Sequence, residues 1–70
     1  MELDDIYRQY FQTVYRYALS LSRNSSTAEE VVQETFFKAI KKIDDFKGES
    51  SIQTWLCEIA RNTYFNLNNS

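Results

Sequence analysis

Residues 26–43 read Ser26-Thr27-Ala28-Glu29-Glu30-Val31-Val32-Gln33-Glu34-Thr35-Phe36-Phe37-Lys38-Ala39-Ile40-Lys41-Lys42-Ile43, and they decide the fold class. The stretch opens with the serine-to-glutamate spacing of a capping box, Ser26 to Glu29. Ala28, Val32, Phe36, Ala39, Ile40 and Ile43 then recur at helical spacing, which predicts a helix over about 27–44 with one buried stripe. Polar breaks flank it, Ser22-Arg23-Asn24-Ser25-Ser26 before and Asp44-Asp45-Phe46-Lys47-Gly48-Glu49-Ser50 after. Before the first break, Leu3, Ile6, Tyr7, Tyr10, Val14, Tyr17, Ala18 and Leu21 form a second stripe, predicting a helix over about 3–22. Phe11, Tyr15 and Leu19 lie beside that stripe, so this helix is apolar over more than one face. After the second break, Ile52, Trp55, Leu56, Ile59, Ala60, Thr63 and Leu67 predict a helix over about 51–67, with Ser50 as its cap and Gln53 reaching back. Gly48 falls where the connecting loop needs a positive φ or a close backbone approach. Three amphipathic helices with short connections share one core only as a small bundle. The expectation is an all-α, three-helix bundle, a single domain over residues 1–70.

Composition narrows the function. Seventy residues allow one domain, which buries only about 60% of its unfolded surface. The 43% hydrophobic, 16% aromatic and 26% charged fractions are those of a globular chain. With no histidine and one cysteine, Cys57, an internal disulfide, a zinc finger and a histidine-based triad are excluded, and a reducing cytoplasm is the expected compartment. No apolar run approaches the ~20 residues that span a bilayer, and Met1-Glu2-Leu3-Asp4-Asp5 is too acidic for a signal peptide, so no membrane insertion is expected. No nucleophile has a visible base and no glycine-rich phosphate loop is present. Cys57 lacks a sequence-adjacent lysine, histidine or second cysteine to activate it. No enzyme, metal or cofactor is expected. The net charge of −2 does not advertise nucleic-acid binding.

Three features are left over once the core stripes are assigned. On the second helix, Glu30, Gln33, Glu34, Phe37 and Lys41 form a separate stripe, either a solvated face with Glu34 and Lys38 paired or a partner surface. Phe37 is either an interface anchor or a ring packed on the first helix. The loop from Phe46 to Ser51 is either a turn with a helix cap or a pocket whose amides, hydroxyls and ring suit a splayed-out nucleobase. The third helix exposes Gln53, Thr54, Cys57, Glu58, Arg61, Asn62 and Phe65, polar groups able to meet bases or phosphates but with Arg61 the single cation. Trp55 is assigned to the core.

The order of these motifs carries a resemblance. Ala28-Glu29-Glu30-Val31-Val32-Gln33-Glu34-Thr35-Phe36, then Phe46-Lys47-Gly48-Glu49-Ser50-Ser51, Thr54-Trp55-Leu56 and Ile59-Ala60-Arg61-Asn62 resemble region 2 of the extracytoplasmic-function (ECF) group of bacterial sigma factors, over about Ile6 to Asn62. The resemblance implies a helical domain that docks on RNA polymerase and handles the promoter −10 element. It places Glu30, Gln33, Glu34, Phe37 and Lys41 on the surface that meets the clamp helices of the β′ subunit. It makes Phe46, Lys47, Gly48, Glu49, Ser50 and Ser51 the loop that accepts a flipped base of the single-stranded non-template strand, with Lys38 and Asn62 flanking that pocket. Gln53, Thr54 and Arg61 complete the implied DNA-binding set. Extracting a base costs a few kcal/mol of stacking, so weak binding by the isolated domain is expected.

Departures from the pattern matter as well. Cys57-Glu58 stands where an aromatic and an arginine are common, which removes a cation from the DNA-facing helix. Ile52 replaces a common phenylalanine. The chain ends at Asn66-Leu67-Asn68-Asn69-Ser70, before the usual basic stretch and the helix–turn–helix that reads the −35 element, and an excised domain is the expectation. The alternative reading is a helical interaction module, bound by an anti-sigma factor and binding little DNA of its own.

Overall fold

The computed structural model describes residues 3–68, which form α1 (Leu3–Ser22), α2 (Ser25–Lys42), a short 3-10 turn (Ile43–Asp45) and α3 (Ile52–Asn68). Each helix packs against the other two, giving the expected three-helix bundle of 31 × 22 × 18 Å. Leu56, Val14, Val31, Val32, Ala18, Ala28 and Ala60 form the sealed centre. Leu56 is the largest fully buried side chain of that centre, and Ala18, Ala28 and Ala60 are its small members. No helix among the described residues is long and apolar enough to cross a membrane.

The ends of the helices depart from the expected caps. α1 stops at Arg23, whose φ of +54 is left-handed and whose N–H donates to the Leu19 carbonyl at 2.7 Å. Asn24 then caps α2: its Oδ1 accepts from the Thr27 N–H at 3.0 Å, and its carbonyl accepts from Ala28 N–H. The Ser26–Glu29 capping box is therefore not used, because the chain already turns helical at Ser25. At α3, Ser51 rather than Ser50 is the cap, accepting from the Thr54 N–H at 3.1 Å and donating to the Thr54 hydroxyl at 3.0 Å. Ser50 donates to the Ser51 carbonyl instead. Gly48 has φ +74 with open space where a Cβ would stand, so the turn needs its left-handed backbone and not a close approach.

Two burial assignments also change. Val31 and Thr35 are fully buried beside Ala28, Val32, Phe36 and Ala39, because α2 is wedged between both neighbours. This rotates its buried stripe and turns Ile40 outward, 52% exposed. Tyr7 is 45% exposed, yet its ring packs edge-on to Phe36 at 4.9 Å and against Phe11 at 5.3 Å, closing the α1–α2 seam. The side chains of Leu3 and Asn68 lie outside those described, as do Met1, Glu2, Asn69 and Ser70.

Thr35 carries a cost, since its buried hydroxyl oxygen has no hydrogen-bond partner. An unsatisfied buried group costs about 1–3 kcal/mol, and valine has nearly the same shape without it. Thr35→Val is expected to raise unfolding stability by about 1 kcal/mol, read as a higher denaturant midpoint at unchanged slope.

Candidate functional site

The core stripe of α2 dictates what its opposite face presents. With Val32, Thr35 and Ala39 inside, Glu30, Gln33, Glu34, Phe37 and Lys41 all stand exposed. Phe37 is 55% exposed, and its ring lies under the Lys41 ammonium at 4.4 Å. The outward-turned Ile40 joins this strip beside Phe37, an apolar member that helical periodicity had assigned to the core. The strip thus combines an aromatic and an aliphatic anchor with carboxylates, the composition of a protein-docking surface rather than a uniformly solvated face. The expected Glu34–Lys38 pairing gives way to a different bond: Lys38 Nζ donates to Thr63 Oγ1 at 3.0 Å.

The loop after α2 makes an open cleft of about 530 Å³, lined by Asp45, Phe46, Lys47, Glu49, Ser50, Trp55 and Glu58. The 3-10 turn delivers Phe46 to it through a Phe46 N–H to Ile43 carbonyl bond of 3.1 Å. There the Phe46 ring meets Trp55, with centroids 5.0 Å apart and planes at 42°. Trp55 is only partly buried and is a wall of the cleft, correcting its assignment as core alone. A tryptophan at i+3 from a buried stripe edge offers no sequence signal for this; the loop folding back over it creates the site. Two rings able to stack a base are surrounded by three carboxylates and one ammonium, Lys47. That balance repels phosphate and offers acceptors to exocyclic amines of a base.

The remaining expected DNA-contact residues do not gather here. Gln53, Thr54 and Arg61 line a separate depression of about 290 Å³ between α1 and α3, with Tyr17, Cys57 and Glu58. The Arg61 guanidinium lies over the Phe65 ring at 5.6 Å. Burial pushes the Cys57 thiol above its ordinary pKa, which favours the protonated form. Lys38 and Asn62 lie on the α2–α3 groove, so they do not line the cleft. Ser51 is exposed and occupied in capping α3, and Gly48 shapes the loop without lining the cleft. Proximity in the bundle therefore divides the set into three neighbouring surfaces, each with its own chemistry. Among the described residues, no group of three or more histidine, cysteine or carboxylate side chains is placed to hold a metal.

Known proteins supply an independent comparison. The Sigma-70 region 2 family matches residues 6–67. The chain is 41% identical over 64 residues to RNA polymerase sigma factor YlaC of Bacillus subtilis, covering 91% of this chain and 37% of that protein. It is 38% identical over 64 residues to the ECF RNA polymerase sigma factor SigM of the same organism, covering 91% and 39%. Over a shorter stretch of 43 residues it is 51% identical to the ECF RNA polymerase sigma-E factor of Haemophilus influenzae, covering 61% and 22%. The chain thus spans less than two fifths of the length of these relatives. No solved structure gives a significant match.

Trp55 is the only tryptophan, so its emission reports on the cleft. Titration with a single-stranded oligodeoxynucleotide is expected to quench it as a base stacks on the Phe46–Trp55 pair. Phe46→Ala should weaken that binding by about 1–3 kcal/mol, the worth of one base–aromatic stack. Quenching that is the same in Phe46→Ala and wild type would remove the cleft from consideration.

Proposed function

Because the chain belongs to the sigma-70 region 2 family, we propose that it is the part of an ECF-type sigma factor that joins RNA polymerase to promoter DNA. It acts by binding, without catalysis of its own, and its place of work is the cytoplasm. The α2 strip docks on the clamp helices of the polymerase β′ subunit, with Phe37 and Ile40 as apolar anchors and Glu30, Gln33, Glu34 and Lys41 setting register. The loop cleft takes one flipped base of the non-template −10 strand against the Phe46–Trp55 pair. The observation that carries this reading is the coexistence of the exposed strip and the open aromatic cleft on one rigid bundle. Docking to polymerase and capture of a base are then held at a fixed separation, so binding one partner positions the other. Unstacking the base costs a few kcal/mol, which the polymerase-held bubble offsets more fully than this chain alone.

Asp45, Glu49 and Glu58 around the cleft favour a second reading, in which the strip and cleft serve an anti-sigma factor and DNA contact is slight. Oligonucleotide titration at low salt, with and without a β′ clamp-helix fragment, separates the two. Saturable, sequence-dependent binding supports base capture; its absence under both conditions supports the interaction module.

Docking has its own test. Glu34→Lys reverses a strip charge and Phe37→Ala removes the ring, and each is expected to weaken clamp-helix binding roughly tenfold, about 1.4 kcal/mol. Helical circular dichroism should stay at the wild-type level, since both side chains are outside the core. Wild-type affinity in both variants would refute docking through this face.

A further inference from the structure

The charges of α2 are sorted along its length. Glu29, Glu30 and Glu34 lie in the half nearer its start, and Lys38, Lys41 and Lys42 in the half nearer its end. The helix dipole favours such an order only within the terminal turns, and no acid stands in the first turn of α2. The dipole therefore leaves Glu30 and Glu34 unexplained. Spacing within the helix does not balance the charges either. Glu30 and Glu34 are four residues apart, as are Lys38 and Lys42, and like charges at that spacing repel. Glu34 and Lys38 are the one opposite pair at that spacing within α2, and Lys38 Nζ donates to Thr63 Oγ1 instead. Among the described residues, neither Glu30 nor Lys41 has an ion-pair partner, and both are exposed.

The strip is complementary to itself when turned end for end. Glu30 and Lys41 are eleven residues apart, which places them about 16 Å apart along the helix and within about 20° around it. The exposed Phe37 and Ile40 stand between them, and the Lys41 ammonium is already held over the Phe37 ring. A second copy laid antiparallel, with a twofold axis passing between Glu34 and Phe37, sets Glu30 of each copy beside Lys41 of the other. Such a pair is isologous, so each favourable contact occurs twice. The same axis passes about 2 Å along the helix from each Phe37, which brings the two rings into one apolar contact flanked by Ile40. A net charge of −2 sets little overall repulsion against the pairing. One helix face per copy makes a small interface of the transient kind.

We propose that α2 is a self-recognition surface on which a second copy of this chain docks antiparallel through Glu30, Phe37, Ile40 and Lys41. The dimer covers the strip assigned to polymerase docking, so self-association and docking exclude one another. The pairing stands on the strip alone, the exclusion rests on the docking reading, and the experiment separates the two.

Sedimentation equilibrium of the chain at low salt, up to about 1 mM, reads the pairing. Reversible dimerisation that weakens as salt is added is expected. Glu30→Lys and Lys41→Glu each turn two attractive contacts into two repulsive ones. Each is expected to weaken dimerisation about tenfold, with helical circular dichroism unchanged because both side chains are exposed. An equimolar mixture of the two variants restores both contacts in the heterodimer, and Glu30→Lys combined with Lys41→Glu restores them in the homodimer. Both are expected to dimerise as wild type does. A monomeric wild type at every concentration overturns the proposal, as does failure of either the mixture or the double variant to recover the dimer. Adding the β′ clamp-helix fragment is expected to convert the wild-type dimer into fragment-bound monomer. A fragment that binds the dimer without dissociating it overturns the exclusion. A chain that shows the charge-swap pattern but does not bind the fragment keeps the pairing and overturns the docking reading.

Discussion

Burial of α2 on two sides governs the rest of the molecule. Ala28, Val31, Val32, Thr35, Phe36 and Ala39 are held between α1 and α3, and that fixes the rotation of α2 about its own axis. A turn of one residue, about 100°, would bring Gln33 inward and expose Val32, which loses on the order of 1.5–3 kcal/mol of burial for that side chain alone. With the rotation set, Phe37, Ile40 and Lys41 have no choice but to face solvent, and Lys38 and Lys42 must line the seam with α3. The exposed α2 strip and the lysine groove are two consequences of one packing decision.

The net charge of −2 conceals how these surfaces differ. Carboxylates of Asp45, Glu49 and Glu58 collect at the loop, while Lys38 and Lys42 collect in the groove. At these short separations screening by salt is incomplete, so the local sign matters more than the sum. The segregation gives one small domain surfaces of opposite local sign. Glu58 stands among the carboxylates that line the cleft beside Phe46 and Trp55.

Much of this is legible in the sequence. Helical spacing located all three helices to within two residues, and the exposed stripe with Phe37 stood out as unexplained by the core. What failed were the local details that depend on neighbours. Ser26 and Ser50 have good capping chemistry, but Asn24 and Ser51 occupy the positions where the chain turns. Ile40 fits a generic stripe, but burial of Val31 and Thr35 moves the stripe off it. Trp55 has the size of a core residue, and only the return of the loop, closed by the Phe46–Ile43 bond and the left-handed Gly48, turns it into a cleft wall.

Periodicity, the polar breaks and the single glycine determined the bundle from the sequence alone, because helix formation and its apolar face are local properties of a chain. Which residues form a common site was decided by the tertiary structure. The family resemblance groups Lys38, Arg61, Asn62 and the Phe46–Ser51 loop as one set, yet helix packing distributes them over a groove, a depression and a cleft. The physical reason is that a helix face is defined by its own residues, whereas a groove exists only where two helices meet.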